Sequence, residues 1–207
     1  MSAGPGGAVA DEIALFPLRT VLFPGGPLNL RIFEARYLDM IRAVLKSGSE
    51  FGVLAIRSGG EVGPAQTADV GTSARVVDFH QLPDGLLGLS CHGMRRFRLK
   101  SRREQRDGLN LGVVAWLTEP APVRVPVRFE PLARLLRQLL PELGDLYAGV
   151  EPRFDDTSWV GYRLSEILPL ALADRQHSLE LDDPVERLEL IERVSAGEGA
   201  QTRGPDA

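Results

Sequence analysis

"VLFPGGPLNLRIFEARYLDMI", residues 21–41, holds two competing readings. A phosphate-cradling loop would follow its second glycine with a lysine and a Ser or Thr opening a helix, because the ammonium and the metal-bound hydroxyl complete the phosphate cage. Here Gly25 and Gly26 are followed by Pro27, which has no N–H to offer an anion, and then by the strand-like PLNLRI. The stretch is therefore a bend that carries one strand into another. From Phe33 onward the period changes. Phe33, Tyr37, Met40, Ile41, Val44 and Leu45 recur three and four apart, which predicts one helix with a single apolar stripe, and Gly48 is placed to end it.

Working outward, "IALFPLR" precedes the bend as a strand, and "FGVLAIR", "TSARVVDFHQL", "GLLGLSC", "MRRFRLK" and "LNLGVVAWL" follow the helix as five more. Leu82-Pro83-Asp84-Gly85 has the chemistry of a tight hairpin turn. One helix among many strands predicts a closed or partly closed sheet with the helix plugging an end. "TEPAPVRVPVRFEP" carries four prolines and no periodicity and reads as a linker. Beyond it, "LARLLRQLLPEL", "DTSWVGYRLSEIL", "LADRQHSLEL" and "PVERLELIERV" all place apolar residues at helical spacing, with Asp183 as N-cap, Pro184 at the first helical position and Glu186 three residues past the cap. The chain is thus expected to be α+β. Residues 1–10 form a disordered tail, 11–118 a β-rich part, 119–127 a linker, 128–194 a small helical bundle and 195–207 a second tail.

Hydrophobic residues at 43% and charged residues at 25% describe a soluble globular protein. No apolar run approaches the ~18 residues of a membrane span, and the start lacks the basic and apolar regions of a secretory signal, so a cytoplasmic location is expected. A single cysteine, Cys91, excludes an internal disulfide and a cysteine-rich zinc site, and the three histidines, 80, 92 and 177, are scattered. No metal and no cofactor are expected. The net charge of −4 divides unevenly: 14 basic against 11 acidic residues up to Thr118, and 10 against 17 beyond it. Neither part carries the charge of a nucleic-acid binder.

No catalytic motif stands out. Cys91 and His92 are neighbours in a strand and point to opposite faces, so a buried thiol beside an ordinary histidine is the reading. No Gly-x-Ser-x-Gly elbow surrounds a serine, Ser90 included, and no His-Glu-x-x-His is present. The densest basic stretch, "RRFRLKSRREQR" from Arg95 to Arg106, puts Arg96, Arg98 and Lys100 on one strand face and Phe97 and Leu99 on the other. A solvated outer face is expected there. Trp116 and Trp159 read as packing residues, with a groove near the junction of the two parts as the alternative.

Taken in order, Phe16-Pro17-Leu18, Leu22-Phe23-Pro24-Gly25, Phe33-Glu34-Ala35-Arg36-Tyr37, Val70-Gly71-Thr72, Leu82-Pro83-Asp84-Gly85, Gly93-Met94-Arg95-Arg96-Phe97-Arg98, and Leu179 to Pro184 followed by Arg187-Leu188 form a recognisable set. Across residues 12–194 the sequence resembles the N-terminal, substrate-binding domain of the Lon protease family, a domain that also occurs in cereblon and as stand-alone bacterial proteins. The resemblance implies a β-rich pseudo-barrel followed by a helical bundle. It also implies capture of unfolded or tagged polypeptides without the ATPase and protease domains of Lon, and one cysteine cannot build cereblon's zinc domain.

The expected function is accordingly a non-catalytic polypeptide-binding module. A strand edge or inter-domain groove would accept an extended chain, with Arg31, Phe33, Arg36 and Tyr37 as candidate contacts. An unfolded or extended polypeptide is the expected partner, with a protease or chaperone acting alongside; no membrane is expected, and nucleic acid is disfavoured. Two alternatives stand beside it: a small hydrolase whose residues meet only in the fold, and nucleic-acid binding through Arg95 to Arg106.

Overall fold

A computed structural model describes residues 11–60 and 65–201. Among these, seven strands precede five α-helices, save that α1 lies between the second and third strands. β1 (Asp11–Leu18) leads through the bend to β2 (Pro27–Ile32), then to α1 (Ala35–Ser47). β3 (Phe51–Gly59), β4 (Ala65–Thr67), β5 (Val70–Gln81), β6 (Leu87–Glu104) and β7 (Asn110–Trp116) follow. The strands run β1-β7-β6-β5-β3, and β1 pairs with β3 in parallel, so the sheet closes on itself. β4 extends β3, and β2 lies along the first half of β6.

The two stretches expected as separate strands, "GLLGLSC" and "MRRFRLK", are one strand, β6, paired with β5 along much of its length and with two register shifts. Gly93, which lies between those two stretches, is where another backbone comes close: a Cβ there would collide with the carbonyl oxygen of Phe23. The Leu82–Gly85 turn forms as expected, with Gly85 at φ 86° and its N–H donating to Leu82 O at 2.8 Å.

Helix α1 ends at Gly48 in the left-handed conformation, φ 66°. It buries Tyr37, Met40, Ile41 and Val44 against Phe16, Phe51, Val53, Leu89 and Cys91. Phe33 and Leu45, expected on the same stripe, are exposed. Phe33 precedes the helix, and so escapes its periodicity. A second cluster, Leu15, Leu54, Phe97 and Val114, occupies the opposite face of the strands, as the alternation of Leu15 with Phe16 requires.

The helical half contains α2 (Glu130–Leu139), a 3-10 segment (Leu140–Tyr147), α3 (Thr157–Ile167), α4 (Leu172–Glu180) and α5 (Pro184–Gln201). Asp156 caps α3 by accepting from Ser158 N at 2.9 Å, and Asp183 accepts from Val185 N at 2.7 Å. The bundle has its own core around Phe129, Leu136, Trp159, Leu164 and Ile191. The proline-rich stretch is fastened to it: Thr157 N donates to Val123 O and Val125 N to Asp155 O. A fourth cluster, with Phe23, Val70, Tyr162 and Leu179, spans both halves. α5 continues to Gln201, past the expected boundary at 194, while residues 1–10 and 202–207 lie outside the described residues.

Candidate functional site

β2 is bonded to β6 on one side, and among the described residues it has no strand on the other. Beside it lies a cleft of about 280 Å³ lined by Phe16, Pro17 and Leu18 of β1, Asn29 to Ile32 of β2, and Phe33, Glu34 and Tyr37. The register of β7 along β1 ends at Leu15, so among the described residues Phe16 to Leu18 have a strand only on the β3 side. Backbone groups and an apolar floor therefore occur together. Phe33, 58% exposed, stands at the rim.

The other expected contacts divide. Arg31 is exposed and paired with Asp84 of the hairpin turn. Arg36 donates to Gly108 O at 2.8 Å and pairs with Glu34 at 2.7 Å. Tyr37 is 5% exposed, stacked on Phe16 at 4.0 Å between ring centroids, with the Arg36 guanidinium 4.7 Å from its centre. Tyr37 thus forms the floor of the cleft and part of the core, a correction to its reading as a presented contact. Its place on the buried stripe of α1 is the reason.

The basic stretch is not one solvated face. Arg96 is fully buried: Nε donates to Glu119 at 2.8 Å, Nη1 to the carbonyls of Leu179 and Leu181 at 2.9 and 3.0 Å, and Nη2 to Asp182 at 3.1 Å. Alternation correctly separates Arg96 from Phe97, but the helical half covers the face that Arg96 occupies. Arg95 lies over the Trp116 ring at 3.9 Å, and Arg103 pairs with Glu12 at 2.7 Å. Arg98 and Lys100 are exposed.

Candidate nucleophiles are poorly placed. Burial pushes the Cys91 thiol up to about 12, away from the thiolate that would react. Ser165 and Ser178 share a 2.6 Å hydrogen bond in the interior.

The bend meets α3. Arg163, fully buried, donates from Nη2 to Pro24 O at 2.9 Å and to Glu166 Oε1 at 2.8 Å, and Tyr147 OH donates to Glu166 Oε2 at 3.1 Å. Glycine at 26 is required, because a Cβ would strike the Glu166 carboxylate. Burial pushes the Glu166 carboxyl up to about 7 against the opposing pull of Arg163. Beside this contact a groove of about 390 Å³ runs between the halves, with Trp159 and Tyr162 among its lining.

The profile of the ATP-dependent protease La (LON) substrate-binding domain matches residues 12–194. The chain belongs to the Lon substrate-binding domain family. It is 28% identical over 201 residues to a Lon protease of Xanthomonas oryzae pv. oryzae, covering 90% of this chain and 23% of that one. Against the Escherichia coli K12 Lon protease the identity is 25% over 192 residues, 87% and 24% of the two chains. The chain thus spans about a quarter of the length of these relatives. A crystal structure of a Lon N-terminal domain protein from Xanthomonas campestris superposes with a TM-score of 0.75 at 37% identity, covering 88% of this chain and 98% of that one. The N-terminal domain of a Mycobacterium avium complex Lon protease shares the fold at a TM-score of 0.62 and 17% identity, covering 90% and 98%.

Within this Lon substrate-binding domain, sequence reasoning missed Arg163 and Glu166. No local signal marked them: that α3 is buried from Trp159 through Ser165, and so leaves its charges almost no solvated face, is decided by the elements packed around it.

Proposed function

We propose that this domain binds extended polypeptide along the outer edge of β2, and that it does so without breaking a covalent bond. The observation that carries the reading is that, among the described residues, β2 pairs with β6 alone, next to the apolar cleft that Phe33 overlooks. An added strand gains backbone hydrogen bonds whatever its sequence, and alternate side chains of that strand enter the cleft. Folded proteins hide such segments, so unfolded chains are selected. Phe33 supplies apolar contact at the rim, and Arg31 supplies a charged head once it leaves Asp84. Arg36 holds the start of α1 to Gly108, and Tyr37 supports the floor. Family membership supports a substrate-recognition role; the matched relatives are Lon proteases, and a protease is the partner class this favours. Among the described residues no helix is long and apolar enough to cross a membrane.

The test is a titration with a reduced, permanently unfolded polypeptide, followed by the backbone amide resonances of residues 28–33. Saturable shifts there, weakened several-fold in Phe33→Ser and absent with the folded form of the same polypeptide, are expected. Binding that leaves those amides unmoved would place the site elsewhere.

A further inference from the structure

The bend at Pro24 to Gly26 is gripped from both sides. Gly25 N donates to Gly93 O and Gly93 N to Gly26 O, both at 2.8 Å, which fastens it to β6. From the helical half, Arg163 holds Pro24 O, and the Glu166 carboxylate rests against Gly26. β2 begins at the next residue, Pro27, so nothing lies between the clamp and the edge proposed above. We propose that Arg163 and Glu166 are positioning residues for the β2 edge, and that the proton on Glu166 sets how firmly that edge is held. The inference rests on the polypeptide-binding reading.

The groups facing the Glu166 carboxyl are Arg163 on α3, Tyr147 on the 3-10 segment and Arg175 on α4. The bend itself brings no titratable group, and His92 on β6 lines the groove beside it. Burial raises the carboxyl from 4.5 to about 7 while the clamp is closed. A conformation in which α3 releases the bend returns the carboxyl to water and toward its ordinary range. The closed clamp therefore binds the proton more tightly, and by linkage protonation favours the closed clamp. Rising pH favours release, because the bare carboxylate gains hydration that the seam denies it. The edge is held at pH 6 and loosened at pH 8.

The experiment measures affinity for a histidine-free, permanently unfolded polypeptide at pH 6 and pH 8, with the full chain and with Glu166→Gln. Gln is neutral at both values and nearly the same shape. The full chain should bind up to about tenfold more weakly at pH 8, and E166Q should show no such change. Gly25 and Gly26 amide resonances should titrate with a midpoint near 7 in the full chain and stay fixed in E166Q. A flat profile in the full chain overturns the proposal, and so does a profile retained in E166Q. If E166Q does not fold, Tyr147→Phe removes a hydrogen bond to the carboxylate and should move the amide midpoint upward; an unmoved midpoint overturns the assignment. Absence of polypeptide binding at every pH defeats the proposed function instead, while the amide titration still reports on the clamp.

Discussion

Beneath α1, Tyr37, Met40, Ile41 and Val44 meet Phe16, Phe51 and Leu89, carbon against carbon. Across the seam between the halves, Arg96 and Arg163 are as deeply buried and meet carbonyls and carboxylates instead. Both regions exclude water, yet they respond to change differently. An apolar core adapts to a lost side chain by partial collapse, so its cost is graded. A buried guanidinium network has no graded failure, because removing the guanidinium leaves an interior acceptor such as Leu179 O without its donor. The seam is therefore the more brittle region, and it fixes how the two halves are joined.

The largest effect should come from Arg96→Ala, which removes the hydrogen bonds to Glu119, Asp182 and the carbonyls of Leu179 and Leu181 and leaves Leu179 O in the interior without that donor. A loss of about 3–5 kcal/mol in urea unfolding is expected from the lost hydrogen bonds to a charged group and the interior carbonyl left without one, since Glu119 and Asp182 reach solvent. Arg96→Lys should recover little of it, since one ammonium cannot reproduce a planar fork serving three directions. Tyr37→Ala, in the apolar region, should cost about 3 kcal/mol through the cavity left against Phe16. If the alanine at 37 proves the more damaging, the contrast between graded and brittle regions is wrong.

A smaller effect belongs to pH. Glu166 has its carboxyl raised from 4.5 to about 7 by burial, so its contribution to stability is full below the lower value and is lost as pH rises through the upper one. Stability should thus decline across that window by at most about 1.4 kcal/mol per pH unit. In E166Q that decline should vanish, and a persisting slope would move its origin away from the seam. The smallest effect is Phe33→Ser. An exposed ring outside the core should change stability by no more than about 0.5 kcal/mol, even though polypeptide binding suffers.

Much of the fold was legible. Pro27 after Gly26 excluded a phosphate loop, the stripe through Tyr37 and Val44 announced α1, Gly48 ended it, and Asp183-Pro184 opened α5. The candidate cleft was legible only in part. The run of residues 31–37 was located, but spacing could not tell the exposed Phe33 from the buried Tyr37. β6 was read as two strands on either side of Gly93, a glycine whose role within the single strand is a close backbone approach.

What the chain settled locally was where it bends and which residues share a face, since those follow from covalent geometry and the periods of helix and strand. What only tertiary structure decided was which faces are covered. Arg96 and Arg98 occupy one strand face by alternation, yet the first is dry and the second wet. The carbonyl that receives Arg96 lies 83 residues away on α4. No local period reaches that far, and so a buried arginine and a solvated one look alike until the helices close over the sheet.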